Sequence, residues 1–165
     1  MASEQPSILS SVLTFAGVYL LLALILNVVL WALETYAGFT LDTNAIGVLP
    51  FVIGAMQSGQ RYGTKMLKKP PASYSWAVGF WFVMVSTVIS LAVIYALLSY
   101  NGDAPLELLN LALADLERKG ISRLVIYAVL GGLLILLWLA ARFAFSFGAA
   151  NGVKLAARLA AKQKL

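Results

Sequence analysis

Residues 74–98 read YSWAVGFWFVMVSTVISLAVIYALL, 25 consecutive positions without a charged side chain. A bilayer core of about 30 Å is crossed by about 20 apolar residues in a helix, so this stretch is expected to be a membrane span. Tyr74, Trp76 and Trp81 lie toward one end of it, and Tyr95 and Tyr100 toward the other. Amphipathic rings favour the membrane–water interfaces at those depths.

Two more stretches share this character. Residues 12–33 are apolar apart from weakly polar positions and Asn27, with Trp31 and Tyr36 toward the far end. Glu4 is the only charged side chain before that run, and there is no basic region of the kind a signal peptide needs, so it reads as a retained span. Residues 124–147 form the other, opening with Tyr127 and holding Arg142 near the end. A fourth run, residues 45–63, is the weakest. Its apolar part stops at Met56, and Pro50 lies inside it.

Charge decides for the fourth run. Arg61, Lys65, Lys68 and Lys69 follow it, and Arg142, Lys154, Arg158, Lys162 and Lys164 close the chain, with no acid in either group. The remaining connections carry Arg118, Lys119 and Arg123 among Glu34, Asp42, Asp103, Glu107, Asp115 and Glu117. Basic residues collect on the cytoplasmic side, and both basic groups reach it only if residues 45–63 cross fully. The expectation is an all-α membrane protein: a four-helix transmembrane bundle forming one integral domain over 1–165. Both termini are then cytoplasmic, in a bacterial inner membrane. Glu34 and Asp42, outside, read as a solvated loop.

Composition agrees. The chain is 61% hydrophobic and 12% charged, where a soluble domain carries about 25% charged residues. With no cysteine and no histidine, disulfides, thiol nucleophiles, Cys/His zinc sites and a histidine switch are excluded. No phosphate-cradling loop, nucleophile elbow or paired acid is present, so neither an enzyme nor a cofactor is expected. No Asp or Glu lies well inside a span, which argues against a proton pump. The net charge of +5 follows from topology and does not require nucleic acid; anionic lipid would meet the same charges.

Residues 104–118 read as an amphipathic helix. Asp103 is placed to cap it, Pro105 suits its first turn, and Gly120 stops it. Leu106, Leu109, Leu113 and Leu116 share one face, suited to lying on the outer leaflet or covering the outer end of the bundle. Residues 151–165 read as a separate basic cytoplasmic helix.

Several residues are candidates for function. Gln57, Ser58, Gln60 and Arg61 put polar groups at the inner end of a proline-containing helix, the kind of irregular element from which transporters build sites. The simpler reading is a helix end meeting headgroups. Arg142 reads as snorkelling to the inner interface. Asn27, Ser86, Thr87 and Ser90 read as hydrogen bonds between helices. Gly54, Gly59 and Gly63, with Gly148 and Gly152, supply small residues at spacings that let helices approach closely. Gly54 to Arg61 also echoes Gly148 to Lys154, a faint sign of a duplicated hairpin.

The segment Gly54 to Arg61, then Lys68-Lys69-Pro70-Pro71, and the ending Ala141-Arg142-Phe143-Ala144-Phe145-Ser146-Phe147-Gly148-Ala149 carry a resemblance. In this order they resemble a family of small four-span bacterial inner-membrane proteins of uncharacterised function, from which this chain departs by its expanded outer helix. The resemblance implies the topology and no mechanism. The function expected is a non-enzymatic accessory or interaction subunit that packs against another membrane protein or itself. The alternatives are a small oligomeric channel or carrier lined by Gln57, Gln60, Ser86 and Asn27, and an immunity-type protein that blocks a toxin.

Overall fold

Apolar runs of this length satisfy their backbone groups internally by forming helices. The computed structural model is helical throughout its ordered elements and describes residues 6–38, 48–102 and 104–163. Five helices follow one another among these residues: α1 (Ile8–Ala37), α2 (Leu49–Met66), α3 (Ala72–Tyr100), α4 (Pro105–Arg118) and α5 (Arg123–Lys162). Of these, α1, α3 and α5 are long and apolar enough to cross a membrane. The expected residues Glu4, Asp42, Asp103 and Lys164, and the first three positions of the 45–63 run, fall outside the described residues.

Three expectations change. First, α2 has 18 residues and carries Arg61 and Lys65, and it is not among the helices apolar enough to cross by composition. It is instead sheltered by its neighbours, with Phe51, Gly54, Ala55, Ser58, Gly59, Tyr62, Gly63 and Met66 all buried. Second, Pro50 stands in the first turn of α2 and does not interrupt the helix. A missing N–H costs nothing there, because first-turn donors have no intrahelical acceptor. Third, the basic tail is not a separate helix, because α5 runs unbroken for 40 residues through Gly148 and Gly152. Glycine disfavours a helix interior by about 1 kcal/mol, and close packing on α2 holds those two turns.

Directions follow from the contacts. Ser58 meets Ser11 and Gly54 meets Phe15, so α2 runs antiparallel to α1. Ser11 bonds Tyr74 and Tyr19 bonds Ser90, so α3 runs parallel to α1. Gly79 packs on Arg142 while Tyr74 packs on Phe145, so α5 opposes α3. The α2–α5 contact is the most extensive in the molecule, and those helices are parallel.

At that contact, a Cβ on Gly59 would run into the Phe145 carbonyl, and one on Gly148 into the Met56 carbonyl. Likewise Gly63 faces the Ala149 carbonyl and Gly152 the Gln60 carbonyl. All four hypothetical Cβ atoms would lie closer than 3.0 Å to backbone of the facing helix. The contact is two-fold: exchanging Gly59 with Gly148 and Gly63 with Gly152 also exchanges Met56 with Phe145 and Gln60 with Ala149. The sequence echo therefore takes a register five residues from the one that matches Gly54 to Gly148, and in this register Lys65 matches Lys154.

The core lies at one end of the molecule. Phe15, Phe82 and Phe145 are fully buried, with Phe15 stacked on Phe82 at 4.2 Å and Tyr62 and Tyr74 completing the cluster. Toward the other end α1, α3 and α5 diverge, exposing Leu24, Val28, Leu91, Ile94, Leu133 and Leu136. There α4 has no fully buried residue: on its leucine face Leu106 and Leu109 are exposed, while Leu113 and Leu116 are half-buried. It begins after Ala104 without a side-chain cap. Gly120, at φ 82°, terminates it, with Ile121 N–H donating to the Leu116 carbonyl and Gly120 N–H to that of Glu117.

Gly59→Ala or Gly148→Ala should destabilise the fold by about 1–3 kcal/mol through overpacking against backbone. Gly17→Ala and Gly132→Ala, where a Cβ meets open space, should be neutral or slightly stabilising. Unfolding midpoints of the purified variants in one detergent check the contrast.

Candidate functional site at the convergent end

The start of α1, the end of α2 and the start of α3 meet around a cluster of hydroxyl groups. Ser7 caps α1, its side chain accepting from Ser10 N–H. One turn on, Ser11 Oγ lies 2.9 Å from the Tyr74 hydroxyl, which donates to the Pro6 carbonyl at 3.1 Å. That hydroxyl has one proton, so Ser11 supplies the other bond. The Ser58 hydroxyl, on α2, donates to the Ser11 carbonyl at 2.8 Å. These groups close a buried network linking three helices.

A second, open group of residues lies beside it. Thr14 donates to the Ser10 carbonyl and accepts from Arg61 Nη1 at 3.1 Å, which holds the guanidinium over the first turns of α1. Ser7, Leu9, Ser10, Leu13, Thr14 and Arg61 line an open cleft of about 360 Å³. Beneath it lies a cavity of about 50 Å³, bordered by Ser10, Thr14, Arg61, Tyr62 and Lys65. Tyr62 is only 3% exposed, and its hydroxyl has no hydrogen-bond partner.

The structure divides the predicted residues. Ser58 is buried in the network, and Arg61 is exposed at the cleft. Gln57 points away on the exposed side of α2, and Gln60 is half-buried where its carbonyl meets Gly152. Asn27 is exposed and donates to the Ala23 carbonyl of its own helix at 2.7 Å, so it does not join helices. Ser86 likewise bonds within α3, to Val83, while Ser90 does reach across to Tyr19. Asn27 borders a groove between α1 and α3, and Ser86 a groove that shares Tyr19 and Ser90 with it.

Arg142 stacks its guanidinium 3.9 Å from the centre of the Trp76 ring. The backbone carbonyl of Trp76 also accepts the indole N–H of Trp138 at 3.0 Å. A cation over an aromatic face is stabilised by the ring quadrupole, which accounts for this charge. Tyr74, expected at the interface, is 8% exposed and belongs to the core. Trp31, Tyr36, Tyr95, Tyr100 and Tyr127 remain exposed.

The residues that sequence reading missed are Ser7, Ser10, Thr14 and Tyr62. The hydroxyls at the start of α1 are spaced like a helix face, but only the fold shows that the end of α2 comes to rest on it. Among the described residues, no group of three Asp or Glu is placed to hold a metal ion. No protein-family model, curated protein or solved structure matches the chain.

Tyr74→Phe should lower stability by about 1–3 kcal/mol, because the Ser11 hydroxyl and the Pro6 carbonyl lose their partner in a buried site. Tyr95→Phe, on the exposed side of α3, should leave the unfolding midpoint unchanged.

Proposed function

We propose that the chain is a four-span bundle of the bacterial inner membrane with both termini cytoplasmic, acting as a non-enzymatic accessory or interaction subunit. Here α2 crosses with α1, α3 and α5, and α4 lies on the outer leaflet. The observation that carries the reading is how apolar surface and charge are distributed along the helices. Long apolar faces on α1, α3 and α5 are uncovered, and Arg61, Lys65, Lys68, Lys69, Arg142, Lys154, Arg158 and Lys162 lie toward the convergent end, whereas Arg118, Lys119 and Arg123 at the α4 end stand among Glu107, Asp115 and Glu117. At the α4 end, Lys119 pairs with Asp115 at 2.7 Å and Arg123 pairs with Glu117. These are the two ion pairs among the described residues, so basic charge is locally offset at that end. The positive-inside rule then assigns the convergent end to the cytoplasm.

The partner surface in this reading is not the glycine face of α2 and α5, since that face is consumed inside the molecule. The open positions are on the diverging halves, where Gly131 and Gly132 have free space around them. A second membrane protein, or another copy, packs there by van der Waals contact in the way lipid-embedded helices associate.

The absence of native cysteine makes topology directly measurable. Single cysteines at Lys69 and Gln163 should react with an impermeant maleimide only after permeabilisation, and one at Asn101 in intact cells. Labelling of the Lys69 variant from outside, with Gln163 protected, would show that α2 does not cross. Intact-mass analysis after mild extraction should show a defined assembly, and a lone monomer under those conditions would end the subunit reading.

A further inference from the structure

We propose that the cleft between the start of α1 and the end of α2 binds the phosphate group of an anionic phospholipid of the inner leaflet. The assignment rests on the membrane placement proposed above. The α1 N-terminus presents backbone N–H groups and the positive end of its dipole, which favour an anion. That alone would not define a site. Three further observations, all in α2 or against it, do.

Arg61 is held at the mouth of the cleft by one bond to Thr14, leaving most of its five donors for a ligand. Lys65 stands one turn along and borders the inner cavity. Tyr62 supplies the strongest pointer. It is a buried hydroxyl without a partner, and such groups are rare because burial without a hydrogen bond forfeits the group's solvation. It borders the inner cavity, which shares Ser10, Thr14 and Arg61 with the outer cleft.

The sizes suit the chemistry. The outer cleft, about 360 Å³, admits a phosphate against Ser7, Ser10 and Arg61. The inner cavity, about 50 Å³, admits one of its oxygens, or a bridging water, to the Tyr62 hydroxyl. The cleft also has an apolar wall. Leu9 and Leu13 are 65% and 63% exposed, and Gly17, one turn beyond Leu13 toward the membrane interior, leaves a notch with no atom near its missing side chain. A phosphate with an acyl chain fits these features together, while a bare phosphate would use only the polar half.

The test is native mass spectrometry of the delipidated full chain titrated with phosphatidylglycerol or phosphatidylcholine in the same micelles. Phosphatidylglycerol should bind with a saturable first site, and phosphatidylcholine more weakly. R61Q should weaken the first site about fivefold, the effect of one cation near an anionic headgroup, and R61K should recover most of it. Y62F should weaken it severalfold while leaving the helical circular dichroism unchanged. Equal binding of both lipids, or unaltered phosphatidylglycerol binding by R61Q and Y62F, would overturn the site. Displacement of the lipid by millimolar inorganic phosphate would assign the cleft to a soluble phosphate and overturn the lipid assignment. Binding in micelles does not depend on orientation, so its failure is distinguishable from a failed topology in the labelling experiment.

Discussion

The approach of α2 to α5 through bare backbone governs the rest of the molecule. Four glycines, two on each helix, place Cα atoms against carbonyl oxygens of the facing chain, a geometry in which weak C–H···O contacts add to dispersion. Helices this close leave no room for side chains between them. Everything larger on α2 is turned either into the aromatic cluster, as with Phe51 and Tyr62, or away from it, as with Gln57 and Arg61. The polar character of α2, which makes it a poor span by composition, is thus a product of its position. A helix covered on most of its circumference has little need to be apolar all round.

The same contact fixes where polar chemistry collects. By drawing α2 down against the C-terminal half of α5, it brings Ser58 and Arg61 onto the first turns of α1 and Tyr62 onto Tyr74 and Phe145. The hydroxyl network and the Arg61 cleft lie side by side but differ in kind. In the network, each hydroxyl has a bonded partner, so it serves structure. In the cleft, Arg61 has donors to spare and Tyr62 has none of its bonding met. Satisfaction of hydrogen bonds, more than residue type, separates the scaffold from the candidate site.

Much of this was legible in the sequence, and the remainder has identifiable causes. The long apolar helices α1, α3 and α5 follow from runs that allow no other backbone solution in lipid. The stop at Gly120 is written in one residue, and the structure completes it with two backbone bonds from residues 120 and 121. By contrast, Pro50 reads as a break only if the helix start is placed too early; starting at Leu49 makes it a first-turn residue. Tyr74 looks interfacial because its depth along α3 is readable and its facing direction is not. Asn27 and Ser86 look like links between helices because their polarity is visible in the sequence, whereas the carbonyls of their own helices, which they bond, are available to any residue. The cleft needed the register between α1 and α2, a long-range quantity that no local pattern encodes.

The uneven distribution of packing along the helix axes also follows from physical constraint. Between helices in lipid there is little hydrophobic driving force, so association depends on close van der Waals fit and on hydrogen bonds. This chain concentrates both at one end: glycine-to-backbone contact, a stacked Phe15–Phe82 pair, and the Ser11, Ser58 and Tyr74 bonds. The diverging halves have neither, apart from Tyr19 with Ser90. In water such an arrangement would expose an untenable apolar area. In a bilayer it costs little, since lipid tails solvate leucine as well as leucine does. A base packed through glycine, aromatic and hydroxyl contacts, with apolar helix halves left exposed beyond it, is therefore a stable outcome of this sequence in lipid.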